Sequence, residues 1–306
     1  RLDEAFKCFQ GAFADDPQNA FALNSMYDYY RAGGDNAAAD ELREKILFSS
    51  QTESKTKVTM LQQAIKESEK SGGDSVVVLN LFDRTMAASP KDADISNMKA
   101  MYMKLKGMPV DSVNAAFEHT LTFEPDNNLA RIKLIQDKWE KKKWDEVIAL
   151  STAGTQYNPE DMTFYYFLGL AYFQKDDDDH ALDALKRGAD EIDDHADSDM
   201  ASDFYGAMGD ILFKKKQQEE AFEAYDKSLK WKEDNIVVLN NYAYYLSELR
   251  RDLKRAEQMS FKTVQAEPTN ATYLDTYAWI LFLQKRYDEA RAYIDRALQN
   301  DTDTVN

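Results

Sequence analysis

The sequence predicts an all-α fold built as a tandem array of helix pairs. Three observations predict it: a proline that recurs in one slot, an apolar pattern of helical period, and small residues at fixed points of each repeat. Five of the six prolines end a helical stretch, at Asp16-Pro17, Ser89-Pro90, Glu124-Pro125, Asn158-Pro159 and Glu267-Pro268. Pro90 to Pro125 is 35 residues, and Pro125 to Pro159 is 34. Pro17 to Pro90 is 73 and Pro159 to Pro268 is 109, close to further multiples of that spacing. A period of about 34 residues marks stacked helix pairs. Proline suits the slot because it lacks an N–H and disfavours helix at the residue before it.

The clearest unit is Ala271 to Thr304. Its first helix carries Leu274, Tyr277, Ala278 and Leu281 at i, i+3, i+4 and i+7, the spacing of one buried face. A turn follows at Gln284-Lys285-Arg286. The second helix carries Tyr287, Ala290, Ile294, Ala297 and Leu298, predicted as its apolar face. Small residues recur in first helices (Gly169, Gly209, Ala243, Ala278) and in second helices (Ala5, Ala39, Ala181, Ala221, Ala256, Ala290). A small residue at a helix crossing lets two backbones approach, and a larger one forces them apart. Val78, Val113 and Val147 stand in the second-helix position of three other units. Gly33-Gly34 and Gly72-Gly73 are read as turn glycines between helices, with no phosphate-loop pattern around them.

These residues resemble the tetratricopeptide repeat (TPR) family. The match runs through Tyr165, Leu168-Gly169, Tyr172, Ala181 and Leu185 in one unit, and Tyr205, Met208-Gly209, Leu212, Ala221 and Tyr225 in the next. The last unit supplies Tyr277-Ala278, Leu281, Tyr287, Ala290 and Ala297. The resemblance implies a right-handed α-α superhelix, a TPR solenoid of about 17 helices, counted from a half repeat and eight full ones. The expected organisation is one solenoid over 1–306, with the half repeat at 1–19 and repeats near 20–53, 59–92, 94–127, 128–161, 162–195, 202–235, 236–270 and 271–304. Units within 20–127 lack the central Gly or Ala and most aromatics. The chain opens inside a second helix and stops directly after a unit, so the array is expected to continue on both sides, and its uncapped ends to allow at most weak self-association.

The net charge of −17 and a pI near 4.7 disfavour nucleic acid, which requires a basic surface, and equally an anionic membrane. No apolar run is long enough to span a bilayer. The single cysteine, Cys8, excludes an internal disulfide and is expected to fill core beside Phe6, Phe9 and Phe13. No metal, cofactor or catalytic constellation is expected. Asp176 to Asp179 is read as a helix start, where Asp caps well. The acidic stretch from Asp190 to Asp203, over a six-residue insertion at 196–201, is read as a solvated loop without a calcium cage. His119, His180 and His195 fall in different units.

In TPR arrays the first helices line the concave face, so the resemblance implies a groove. Its positions in this sequence give Trp139, then Tyr166 beside Thr163, Phe167 and Phe173. They continue with Asp203 and Asp210 beside Phe213, then Asn240, Asn241 and Tyr244, and finally Asp275 and Trp279 beside Phe282. Aromatic rings with carboxylates and amides suit a polypeptide. The family's carboxylate-binding set of Lys, Asn and Arg is absent apart from Asn240 and Asn241, so capture of a C-terminal carboxylate is not expected. The expected function is a non-catalytic scaffold for a protein or peptide, basic or neutral in charge. The alternative is an accessory arm that delivers substrate to a catalytic domain outside this chain. The segments LNNYAYYLSE (Leu239 to Glu248) and YLDTYAWILF look like repeat proteins of Bacteroidetes-type bacteria. That likeness implies a periplasmic or outer-membrane lipoprotein in preference to a cytoplasmic protein.

Overall fold

The computed structural model describes residues 2–17 and 19–300, and among these it holds seventeen α-helices and no strand. The end of the last sequence unit, within 301–306, lies outside the described residues. Two compact units divide the chain, Arg1–Glu140 and Lys141–Asn306. The first contains α1 (Leu2–Asp15), α2 (Ala20–Gly33), α3 (Asn36–Phe48), α4 (Ser54–Lys70), α5 (Ser75–Ala88), α6 (Ala93–Leu105), α7 (Val110–Phe123) and α8 (Asn128–Glu140). The second contains α9 (Trp144–Tyr157), α10 (Met162–Gln174), α11 (Asp178–Ala189), α12 (Ser198–Lys214), α13 (Gln218–Trp231), α14 (Ile236–Glu248), α15 (Leu253–Ala266), α16 (Ala271–Leu283) and α17 (Tyr287–Asn300).

The proline slot does more than stop a helix. Before four of these prolines the residue is driven out of the helical region, at φ −141°, ψ 68° for Ser89, −132°, 78° for Glu124, −135°, 67° for Asn158 and −130°, 79° for Glu267. Its carbonyl then accepts from the N–H three residues on, as in Asp92 to Ser89 (3.3 Å), Asn127 to Glu124 (3.1 Å), Asp161 to Asn158 (3.0 Å) and Asn270 to Glu267 (3.1 Å). That third residue is always Asp or Asn, and its side chain caps the next helix: Asp92 accepts from Ile95, Asn127 from Ala130, Asp161 from Thr163 and Asn270 from Thr272. Proline therefore occupies the second position of a tight turn whose fourth residue is the N-cap.

The turns inside six of the pairs follow a second rule. A residue just past the first helix enters the left-handed region: Gly34, Gly107, Asp176, Lys216, Arg250 and Lys285, with φ of 80°, 65°, 59°, 64°, 51° and 65°. The next N–H reaches back five residues, from Asp35 to Tyr30, Met108 to Met103, Asp177 to Tyr172, Gln217 to Leu212, Arg251 to Leu246 and Arg286 to Leu281, at 2.9–3.0 Å. This closure satisfies carbonyls that a helix end leaves open.

In the first unit the core gathers Leu23 and Tyr27 of α2, Ile46 and Leu47 of α3, Leu61 of α4, Phe82 of α5 and Tyr102 of α6. Charge supports it from the rim. Arg31 and Arg43 both grip Glu67 of α4, the latter at 2.8 Å. Lys57 of α4 is buried and donates to the Ser89 hydroxyl at 2.5 Å; desolvation lowers its pKa. In the second unit glycine lets large side chains lie across the pair. Built on Gly209, a Cβ would stand 2.5 Å from the ring of the fully buried Tyr225, and on Gly169 it would stand 2.6 Å from Leu185.

Three expectations are corrected. Cys8 is exposed. Phe6, Phe9 and Phe13 pack into the first unit's core at i, i+3 and i+7, whereas Cys8 is two residues beyond Phe6, about 200° around the helix. The insertion at 196–201 is not a loop over its length, because α12 begins at Ser198 and Ala201 is fully buried. Only 190–197 connects the helices, and Asp197 caps α12 through the Met200 N–H at 2.9 Å. In α17, Ala290 and Ala297 are buried, but Tyr287 and Leu298 are 56% and 61% exposed.

Two substitutions test these constraints in opposite directions. Gly209→Ala is expected to destabilise by about 1–3 kcal/mol, because the Tyr225 ring has no room to yield. Lys285→Gly is expected to stabilise by about 0.5–1 kcal/mol, by relieving a left-handed L-residue at an exposed position. Urea unfolding of the parent and both variants reads the signs; equal midpoints for all three would refute the packing and turn assignments together.

Candidate functional site

Eight of the nine sequence-selected groove residues lie in the second unit, on α10, α12, α14 and α16. Trp139 belongs to α8 of the first unit, where it is half-buried and already engaged in an interaction. The others form two neighbouring sets.

The smaller set joins α10 and α12. Tyr166 is largely buried against Phe204 (ring centroids 5.8 Å) and Phe167 (6.2 Å). Burial, with the nearby Asp203 carboxylate, pushes its hydroxyl up to about 12. Asp203 itself is exposed and accepts from Asn235 Nδ2 at 2.8 Å. Asn235 is buried, caps α14 through the Val238 N–H, and also donates to Ser202 Oγ. Asp203 of α12 is thereby tied to the loop-to-helix junction that begins α14.

The larger set runs across α12, α14 and α16. Asp210 of α12 accepts from the Tyr225 hydroxyl at 2.5 Å and from Asn241 Nδ2 at 3.2 Å to each oxygen. Burial raises its pKa despite these donors. Asn240 is 6% exposed; its Nδ2 reaches Asn241 Oδ1 at 3.5 Å, and its Oδ1 has no partner. Tyr244, one turn along, is 40% exposed and edge-on to Tyr245, which stacks on Phe213 at 3.9 Å. Burial raises the Tyr244 pKa, and the carboxylates of Glu248 and Asp275 add to it, which places Asp275 of α16 within electrostatic reach of α14. Trp279 is 37% exposed and stacks on Phe282 at 5.7 Å.

Chemically, the larger set offers two exposed rings and carboxylates that have no basic partner among the described residues. It can hold apolar surface and accept hydrogen bonds. Tyr245, Phe213 and Tyr225 form the support beneath it; Phe213 is a groove position in the sequence reading and Tyr225 a family-match position, whereas Tyr245 is not singled out there. Their signal was present as an aromatic at the end of one first helix meeting an aromatic in the middle of the next. Trp279 and Asp275 also border a cleft of about 440 Å3 between α16 and α17, lined further by Phe282, Tyr287, Arg291 and Ile294.

The acidic segments are used locally. Asp177 caps α11 through the His180 N–H and its Oδ2 lies 2.8 Å from His180 Nδ1. Lys214 bridges Asp176 and Asp178 at 2.9 Å each, Lys215 pairs with Asp179, and Lys232 pairs with Asp199 at 3.0 Å. Among the described residues no three His, Cys, Asp or Glu groups converge as a metal site, and no helix is long and apolar enough to cross a membrane.

With this geometry in hand, comparisons with known proteins define the family. Tetratricopeptide repeat models match residues 132–196, 202–235 and 250–303, about half of the chain. The chain belongs to the tetratricopeptide repeat family, whose fold is an all-α superhelical solenoid and a scaffold for protein or peptide partners, generally non-catalytic. Among solved structures it is similar to PilF of Pseudomonas aeruginosa, at 15% identity and TM-score 0.53, over 70% of this chain and 94% of that one. It is similar to the Cut9–Hcn1 hetero-tetramer of the APC/C at 11% identity and TM-score 0.54, over 92% of this chain and 53% of that one. YrrB, described as a TPR protein with an unusual peptide-binding site, aligns at 15% identity and TM-score 0.49, over 61% and 93%. A search of curated proteins by sequence gives no match.

Asp210 makes the site pH-sensitive in a defined sense. Its pKa is raised in the folded state, so its contribution to stability is present below the ordinary carboxyl value of 3.8 and is lost as pH rises through the raised value. The stability of the parent relative to Asp210→Asn should therefore fall as pH rises from about 4 and then level off. Urea midpoints of both proteins across that range provide the test. A constant difference, or one that grows with pH, sinks the assignment.

Proposed function

We propose that the surface formed by α12, α14 and α16 holds a polypeptide segment of basic or neutral charge, and that the protein acts through this surface as a non-catalytic scaffold. The observation that carries the reading is the run of Tyr244, Asp275 and Trp279 across two successive first helices. It stands beside Asn241 and Asp210. Exposed rings supply contact area at low entropy cost, and amide groups match a peptide backbone. Asp203, Asp210 and Asp275 set the sign of the field, and among the described residues no basic side chain pairs with Asp275. Tyr166 and Asp203 extend the same surface to α10. Trp139, in the other unit, has no part in this proposal.

The test is binding of fluorescent unstructured peptides that differ only in Lys/Arg against Asp/Glu content. Basic and neutral peptides should bind, acidic ones should not. Tyr244→Ala should weaken binding about tenfold or more while leaving the melting temperature near that of the parent. Asp275→Lys should reduce both affinity for basic peptides and the salt dependence of their association rate. Equal binding of acidic peptides, or an unchanged affinity in Tyr244→Ala, would remove the proposal.

A further inference from the structure

The fourth position of a first helix is a core position in this fold. Leu23, Tyr165, Leu239 and Leu274 fill it in α2, α10, α14 and α16, and each is 4% exposed or less. In α8 it holds Arg131, which donates to the Pro125 carbonyl at 2.5 Å. In α4 it holds Lys57, 1% exposed, where an apolar side chain would serve packing as well. Among the described residues the Lys57 amine has one hydrogen-bond partner, the Ser89 hydroxyl at 2.5 Å. An ammonium carries three donors, so a charged Lys57 would leave two of them buried and unmet. A neutral amine avoids that cost, and its lone pair can accept the hydroxyl proton. Burial lowers the Lys57 pKa, and Asp92, the one charged group that acts on it among the described residues, opposes this only in part.

Ser89 is held at the turn between α5 and α6. Its N–H donates to the Thr85 carbonyl at 3.0 Å, and its own carbonyl accepts from Asp92. Lys57 engages the hydroxyl from the core. On its other side Ser89 is half-buried and lines an open cleft of about 650 Å3, with Ser54, Lys91, Asp92, Asp94 and Glu124. Ala93 and Asp94 border the same cleft in the first turn of α6, where backbone N–H groups have no acceptor within the helix. A hydroxyl, a buried amine in contact with it, and open backbone donors thus border one cavity. These are the parts that acyl transfer to serine requires.

We propose that Ser89 is an activated nucleophile that takes an acyl group from an ester or thioester of neutral or positive charge, with Lys57 as its general base. Ser89 Oγ attacks the acyl carbon while its proton passes to Lys57 Nζ. The bond from that carbon to the leaving oxygen or sulfur then breaks, and the alcohol or thiol departs with the proton. The product is an O-acyl serine beside a neutral lysine. Asp92, Asp94 and Glu124 outnumber Lys91 on the cleft wall, which disfavours an anionic donor. The site belongs to the first unit and shares no residue with the Tyr244 surface.

The probe is p-nitrophenyl acetate, added to the whole chain. It should release one equivalent of nitrophenol in a burst, and peptide mapping should place the acetyl group on Ser89. Mono-p-nitrophenyl succinate, which carries a carboxylate, should react about tenfold more slowly. The burst rate should rise with pH and level off below pH 10.5, the ordinary lysine value, as Lys57 loses its proton. Ser89→Ala should abolish the burst. Lys57→Met should slow it about a hundredfold or more and remove the pH-dependent limb, which loss of a purely structural lysine would not do. Tyr244→Ala should leave the burst unchanged, which separates this site from the groove. Mapping of the parent needs no variant and decides the matter even where Lys57→Met fails to fold. Acetyl groups confined to exposed lysines, a burst that survives Ser89→Ala, a faster reaction with the succinate, or a pH profile unaltered in folded Lys57→Met would overturn the proposal.

Discussion

Everything in the second unit depends on how closely the two helices of a pair approach. Gly209 under Tyr225 is the clearest instance, since the ring takes the space a Cβ would need. Gly169 under Leu185 belongs to the same arrangement, and the fully buried Ala243 stands at the corresponding place in α14. The close approach puts the Tyr225 hydroxyl within reach of Asp210 and its ring against Tyr242 and Tyr245 of the next first helix. Packing within a pair, packing between pairs and the floor of the proposed peptide surface thus meet at one side chain. A repeat array is stabilised by such nearest-neighbour contacts, with no single central core.

The regular parts of this fold were legible because they are set by spacing. Proline at the helix stop, alanine at the crossing and apolar residues at i, i+3, i+4 and i+7 each leave a mark in the letters. One rule was present and unread: proline followed two residues later by Asp or Asn, as in Pro90-Lys91-Asp92 and Pro125-Asp126-Asn127, is a turn that ends in a cap. The left-handed turns were legible only where glycine marks them. Lys216 and Lys285 adopt the same conformation without a signal, because the five-residue closure imposes it from both sides. Cys8 and the 196–201 segment were misread through neighbours in sequence, where the relevant neighbours are those around the helix.

The candidate site was legible less completely. Helical position found Tyr244, Asp275 and Trp279, whose exposure follows from the face they occupy. Position did not distinguish Asn240, almost fully buried, from Asn241, half-exposed and bonded to Asp210. The difference is one of about 100° of rotation on the same helix. Nor did the negative charge announce its use. A share of it is consumed by caps at Asp35, Asp74, Asp92, Asp161, Asp177, Asp197 and Asp252, which compensate helix dipoles.

The bond from Tyr225 to Asp210 means that the second helix of one pair and the outer surface draw on a single acceptor. On the proposed reading, a donor arriving from outside engages the same carboxylate that accepts the hydroxyl fastening α13 to α12. Occupancy of the proposed surface and integrity of that pair would then be coupled, each felt by the other through one side chain.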